Sequence, residues 1–481
     1  LQVLHLANIC RPSPGPAFAQ ALAMNYRWIW QSSLALVLAA GCAPSSQEPA
    51  LECAGKCDSA VDGQLRELLA DHDVEALVKE SSYSSAMLQL GQALYFDKEL
   101  SGNRDISCAT CHHPLTMTAD MLALPIGVGG DGLGPDRTMG AGRERIPRNA
   151  PDVYNRGSKL WTTMFWDNRV SVHGGVIKSP AGDALPASLR TPLEIQAMFP
   201  PTSAAEMRGN PGDADVFGNR NELAEVADDD LAGIWGGLAA RLVAIDEYVE
   251  LFQAAYPGLD EDQIAFEHAA QAIAAFEDEA FTFTGSAFDQ YLRGDDSALS
   301  SGAKKGALLF YGMAGCGTCH SGTLLTDQKL HNICSPQAGP GRGDVAPEDI
   351  GGFAVTGREK DKYAFRTPSL RNVIFTGPYM HAGTFTDLEQ AVRHHLDIQA
   401  SAMSYDPGQL PPELRDTVVD DPAVLMAMLE TLDPAVQEPV ELTDAEIDQL
   451  MEFLLALTDF SAGDLAHLIP ESVPSGLPVH D

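Results

Sequence analysis

Two segments of this chain close a Cys-x-x-Cys pair with histidine: Cys108-Ala109-Thr110-Cys111-His112 and Cys316-Gly317-Thr318-Cys319-His320. No other feature constrains the fold as much. Two thiols separated by two residues can each bond one haem vinyl group, and the histidine after them points its imidazole at the iron. The chain must therefore wrap two flat groups, each tethered to one wall of its own pocket. Zinc would want four converging ligands, and no second Cys-x-x-Cys lies near either motif. Two complete motifs in one exported chain also argue against a thiol redox pair.

Export is read from the N-terminal region. From Met24 the chain runs MNYRWIWQSSLALVLAAGC. Arg27 supplies the positive start, and the apolar run Leu34 to Ala40 is too short to cross a bilayer. Residues 24–41 thus read as a signal peptide. Ala39-Ala40-Gly41-Cys42 resembles a lipoprotein cleavage site, with the usual leucine one place early at Leu38; lipid on Cys42 and plain cleavage both stay open. Residues 1–23 lack signal logic and read as an artefact of an upstream start. The expected location is the periplasm or cell surface, with membrane contact only through a lipid on Cys42. Of the remaining cysteines, Cys53 and Cys57 could close a small disulfide in an oxidising compartment, and Cys334 reads as a buried free thiol. A formal charge of -36 argues against nucleic acid, which needs clustered Lys and Arg; it reads first as a solvated acidic surface, and it also favours a basic partner surface.

Periodicity predicts a mainly α chain with long irregular loops, and the two Cys-x-x-Cys-His motifs divide it into two haem domains, expected to be cytochrome c-like. Residues 42–63 read as a tether rich in Ser, Pro, Gly and Ala. The N-terminal haem domain is placed at 64–260 and the C-terminal one at 261–470. Apolar spacing predicts helix over Arg66–Glu80, Met87–Tyr95, Asp230–Tyr256 (capped by Asp230) and Ala265–Phe281. Thr443 and Glu446 form a capping box before another helix. From 112 to 160 the chain is rich in Gly and Pro, as a ligand-wrapping stretch would be. Gly127-Val128-Gly129-Gly130-Asp131-Gly132 matches a nucleotide-loop pattern but lacks the strand before and helix after that such a loop needs.

The segment Leu90–Pro114 (LGQALYFDKELSGNRDISCATCHHP) resembles the first haem site of the bacterial di-haem cytochrome c peroxidase and MauG family. Further blocks come in family order: RNAP (Arg148–Pro151), FWDNR (Phe165–Arg169), Glu206-Met207, the second Cys-x-x-Cys-His, RTPSLRNV (Arg366–Val373) and TGPYMHAGTFTDLEQAV (Thr376–Val392). The resemblance spans residues 90–395 and leans towards the MbnH-like members. It implies two covalent c-type haems. Trp166 matches the residue between them, able to relay electrons. Glu206 matches the acid-base carboxylate of the peroxide-binding haem, with Gln196 and Pro200 as pocket neighbours. The first haem, on His112, would keep one axial position open; His113 cannot easily reach the opposite face. For the second haem, on His320, the family's other ligand lies fourteen residues after the histidine of its PYxH motif and is Met or Tyr. Here that histidine is His381, expected to fix a loop, and the fourteenth residue is His395, with His394 adjacent. A bis-His second haem on His395 is expected, and the register against His394 stays open. A calcium ion between the haems is also implied, held by the Asn149 side chain, the Thr376 and Pro378 carbonyls and water. The sequence departs from the commoner pattern over 172–191, where a surface excursion such as a hairpin is expected.

The function implied is that of an enzyme that uses hydrogen peroxide, stores two oxidising equivalents across both haems and oxidises a partner protein, a tryptophan residue being one candidate. The alternative is a conventional cytochrome c peroxidase that draws electrons from a small cytochrome or cupredoxin. A pure electron-transfer cytochrome is the third reading, against which Glu206 and Gln196 speak.

Overall fold

The computed structural model describes residues 48–80 and 82–480, with side chains from residue 60 onward. The signal segment 24–41, Cys10, Cys42 and the side chains of Cys53 and Cys57 lie outside the described residues. The first element corrects the expected tether, because helix α1 (Glu48–Asp71) occupies most of it. Pro49 falls in the first turn, where a missing N–H costs nothing, and the residues after it are good helix formers. Asp62 anchors α1 to Lys304 at 2.8 Å, and Arg66 pairs with Asp296. The helix expected over Arg66–Glu80 ends early. Asp73 turns left-handed (φ 54°), and the chain then runs extended, with Leu77 N–H donated to Asp289 Oδ1 at 3.2 Å.

Two helix pairs organise the rest. Helix α2 (Ser85–Phe96) starts at Ser84, whose hydroxyl accepts from Met87 N–H. After a short helix α3 (Pro192–Gln196) come α4 (Leu231–Val243), α5 (Asp246–Ala255) and α6 (Phe266–Ala280). The single helix expected over Asp230–Tyr256 is therefore two. Ile245 is extended, and Asp246 and Glu247 open a new N-terminus whose dipole favours acidic residues. Helix α6 crosses α2 through Gly91, where any Cβ would lie 2.0 Å from Ala272 O. Tyr95 and Phe96 pack on Phe276 around this crossing.

The second pair repeats the first. Helices α7 (Ser301–Tyr311) and, after α8 (Leu388–Leu396) and α9 (Pro422–Glu430), α10 (Asp444–Ala456) cross at Gly306, where a Cβ would meet Gln449 O at 1.8 Å. Phe310 and Tyr311 pack on Phe453 at 5.2 and 6.0 Å. Each pair thus places a glycine at the closest approach and an aromatic pair four and five residues later, shortly before a Cys-x-x-Cys-His. The Thr443–Glu446 capping box is present.

Strands are few. Thr163–Met164, Val170–His173 and Val176–Lys178 (β1 to β3) form an antiparallel sheet, turning at Gly174-Gly175. The excursion expected over 172–191 is thus hairpin at its start. Leu330–His331 (β4) pairs with Phe365–Arg366 (β5), His331 opposite Phe365. The Gly-rich loop at 127–132 has no flanking strand and is followed only by a three-residue 3-10 turn, Gly134–Asp136. Gly127 lets that loop approach Ala205 O, which would lie 1.8 Å from a Cβ, and Val128 N–H is donated to Glu206 O at 2.9 Å. Among the described residues no helix is long and apolar enough to cross a membrane.

Candidate functional site

Each Cys-x-x-Cys-His motif opens on a cavity. The first, about 610 Å³, is lined by Cys108, Cys111 and His112, by Gln196, Pro200 and Glu206, and by Phe165, Trp166 and Arg169. Ser107 and Thr110 cap the single helical turn of the motif. Thr118 O accepts from His112 Nδ1 at 3.2 Å, and Tyr95 O–H is donated to His112 O at 2.6 Å. Burial lowers the His112 pKa, so the ring is neutral, the form that ligates. His113 is buried elsewhere, its Nδ1 accepting from Leu115 N–H. His112 is the one histidine in this lining; Met164 and Met207 are the other residues there able to ligate iron softly.

Glu206 sits in a wide turn, Ala204–Arg208, capped by Ser203. Burial raises its pKa, and Arg169 and Arg342 act in the opposite direction. The two arginines share a carboxylate: Asp167 pairs with Arg169 at 3.2 Å and Arg342 at 3.5 Å, and also with Arg148 at 2.7 Å. Arg148 in turn binds Asp349 at 2.6 Å. With Glu206 ionised, three guanidiniums face three carboxylates, so the cluster is neutral in that state. Leu193, Phe199 and Pro200 give the same region an apolar wall.

The second cavity, about 220 Å³, holds Cys316, Cys319, His320 and His395. His320 Nδ1 is donated to Leu325 O at 3.2 Å, and His395 Nδ1 to Ala391 O at 2.8 Å, so both Nε2 atoms remain uncommitted. The His320 pKa is pushed down to about 4, by burial and then by His395. His394 differs. It is fully buried, with Nδ1 on Ser401 Oγ and Nε2 on Ile333 O, both at 2.9 Å, and it does not line the cavity. His381 stacks on Phe365 at 3.6 Å, and its backbone O accepts from Asn149 N–H at 2.7 Å.

One wall serves both cavities. Asn149, Pro151, Asp152, Arg156, Trp166 and Arg366 line each of them. Trp166 donates its indole N–H to Asn149 O at 3.0 Å. Arg156 and Arg366 stand 4.6 and 5.0 Å from the Trp161 ring, both buried, and each leaves Nη1 without a hydrogen-bond partner. Asp152 is bound to Arg156 at 3.1 Å, and Arg366 is pushed down to about 9 by burial first and then by Arg156. Buried cations with unused N–H groups call for anions, and carboxylated rings in the flanking cavities would provide them. The thiol pairs, the imidazoles and the unused guanidinium N–H groups therefore fit two haems. For calcium, the Asn149 amide N–H is donated to Leu122 O at 2.8 Å, and Asn149, Thr376 and Pro378 all line the second cavity. No group of three His, Cys, Asp or Glu able to hold a metal occurs among the described residues, so a cation there would rest on neutral oxygens.

Sequence reasoning missed four residues. Arg156, Arg342 and Arg366 carry no signal beyond charge, although Arg366 opens the RTPSL block. Glu277, on α6 in the first cavity, is pushed up to about 8 by burial, and its Oε2 has no hydrogen-bond partner. A carboxylate inside the apolar run AIAAFE was the signal that could have found it.

A family model described as di-haem cytochrome c peroxidase matches residues 85–297. The methylamine utilization protein MauG of Methylorubrum extorquens is 31% identical over 358 residues, 74% of this chain and 80% of that protein. Cytochrome c551 peroxidase of Pseudomonas aeruginosa is 32% identical over 313 residues, 64% and 71% of the two chains. Among solved structures, a MauG-like protein associated with microbial copper homeostasis aligns with a TM-score of 0.54 at 26% identity, covering 81% of this chain and 94% of that one.

Proposed function

The chain belongs to the di-haem cytochrome c peroxidase and MauG family, an oxidoreductase family, and from that premise we propose that it uses hydrogen peroxide to oxidise a partner protein, as a MauG- or MbnH-like enzyme does. The observation that carries this reading is His395. It lines the second cavity with His320 and keeps Nε2 free, where a conventional peroxidase would offer methionine. Two haem domains, near 64–260 and 261–470 but with α6 (Phe266–Ala280) packed into the first, would each hold one haem: the first on Cys108, Cys111 and His112, the second on Cys316, Cys319, His320 and His395. Asn149, Thr376 and Pro378 would hold calcium between them. We further place the protein in the periplasm or at the cell surface, on the strength of its signal-like segment.

When bound, haem supplies iron that takes up peroxide oxygen and stores oxidising equivalents. The protein's own groups do the rest. Glu206, as carboxylate, takes a proton from one peroxide oxygen and returns it to the other, so that water leaves. Burial raises its pKa, and Arg169 and Arg342 act against that, favouring the ionised form. Gln196 offers an amide to orient peroxide, while Phe199 and Pro200 exclude bulk water. Trp166, in the wall shared by both cavities, offers an aromatic bridge for electrons between them. A chain of such charge, -36, suits docking of a basic partner whose oxidised residue never enters a pocket.

The test is the spin state of the ferric protein. One high-spin haem beside one low-spin bis-imidazole haem is expected. Two low-spin haems, with Met164 or Met207 closing the first site, would remove the peroxide reading.

A further inference from the structure

His331 is bonded by carboxylates on both sides. Its Nε2 lies 2.9 Å from Asp327 Oδ2 and its Nδ1 2.7 Å from Asp433 Oδ2. A neutral imidazole has one N–H and one lone pair. In that form one carboxylate would face the lone pair at hydrogen-bond distance, which is repulsive. Both nitrogens must therefore carry protons, and the ring is a cation. The arrangement is built in advance. Asp327 Oδ1 accepts from Lys329 N–H and Asp433 Oδ1 from Ala435 N–H, both at 2.9 Å, so each carboxylate presents its second oxygen to the ring. Asp433 is held further by its own N–H, donated to Asn332 O at 2.9 Å.

The cation has a direction. His331 lines the second cavity, whereas Asp327 and Asp433 do not. Strand pairing sets it opposite Phe365, itself in the cavity wall, and its side chain reaches Cys319. The other charges nearby are weaker influences: Lys329, 3.6 Å from Asp327, is largely exposed, and Glu438 stands at the exposed rim. The positive end of this ion triad therefore faces inward, and its negative ends face away.

We propose that His331 is a positioning residue for redox chemistry, a fixed imidazolium that raises the reduction potential of the group bound in the second cavity. A cation beside an iron couple disfavours the more positive ferric state, and local charge is one of the levers by which a protein tunes haem. Two imidazole ligands lower that potential, and the imidazolium works against them, keeping the site reducible by a partner. The inference rests on the reading of the second cavity as a haem site.

The experiment is spectroelectrochemical titration of the two-haem protein and two variants. His331→Gln removes the cation and leaves both carboxylates; the ferrous-to-ferric ratio of the second haem at fixed poise should fall about tenfold, roughly 59 mV for one electron. Asp433→Asn removes a negative charge while Asp327 keeps the ring protonated, so the ratio should rise. A purely structural role would move both variants the same way, through solvent entry, or neither. Haem count and the low-spin spectrum are read on every sample. Unsubstituted protein with one haem would overturn the site reading and this inference with it. Two haems with an unmoved second potential, or shifts of the same sign, overturn the inference alone. If His331→Gln loads poorly, Asp433→Asn decides, since it removes nothing from the cavity wall.

Discussion

Exchanging the adjacent histidines of α8 separates two roles that sequence alone could not order. His394 is buried and makes two partly buried hydrogen bonds, and its ring packs on Phe385 at 5.0 Å. His394→Ala would leave Ile333 O and Ser401 Oγ unpaired inside the protein. Each lost bond costs about 0.5–1.5 kcal/mol, and a buried polar atom left unsatisfied costs about 1–3. With the space the ring vacates, the sum is on the order of 3 kcal/mol. His395 makes one intrahelical bond, to Ala391 O, so His395→Gly loses little hydrogen bonding; its cost falls on the iron. Thermal unfolding followed by circular dichroism should therefore show the larger drop for His394→Ala, with the low-spin spectrum kept. His395→Gly should turn the second haem high-spin or water-bound. A high-spin His394 variant beside a low-spin His395 variant would refute the assignment.

Four further outcomes are expected. Replacing Cys316 and Cys319 by alanine should leave one covalent haem per chain by pyridine haemochrome assay; two would contradict attachment at that motif. Glu206→Gln should keep both haems and slow peroxide-driven oxidation by about two to four orders of magnitude. Because burial raises the Glu206 pKa and the base must be ionised, the rate should fall as pH drops through a midpoint above the ordinary carboxylate range; Arg342→Gln should move that midpoint higher in a stopped-flow pH series. Gly306→Ala, which drives a methyl to within 1.8 Å of Gln449 O, should destabilise the protein by about 1–3 kcal/mol or more, read as a lower melting temperature.

The Cys-x-x-Cys-His motifs and the helices around Gly91 and Thr443 were legible because each rests on local spacing or a cap; Trp166 and Glu206 were reached through the family resemblance, and both line the first cavity. Tertiary packing decided what was not. The helix beyond Asp71 yields to a bond between Leu77 and Asp289, residues far apart in the chain. The long helix after Asp230 breaks at Ile245, where two acidic residues make a better start than a middle. Helix α6 was assigned with the second haem by its position in the chain, yet Ile273 and Glu277 line the first cavity. The Arg156–Arg366 pair and the His331 triad join segments whose contact no periodicity encodes. Only folding shows that His394 is fully bonded and His395 is not.

A protein built this way should commit peroxide's oxidising power to a partner without prior reduction. Trp166 connects the two cavities, and a bis-His second haem is easier to oxidise beyond ferric than a His/Met one. The decisive measurement is stopped-flow mixing of the fully ferric, reductant-free protein with hydrogen peroxide. An immediate spectral change at both haems, suppressed in Glu206→Gln, is the expected result. No change until one electron per chain has been added would contradict it and return the protein to conventional peroxidase chemistry.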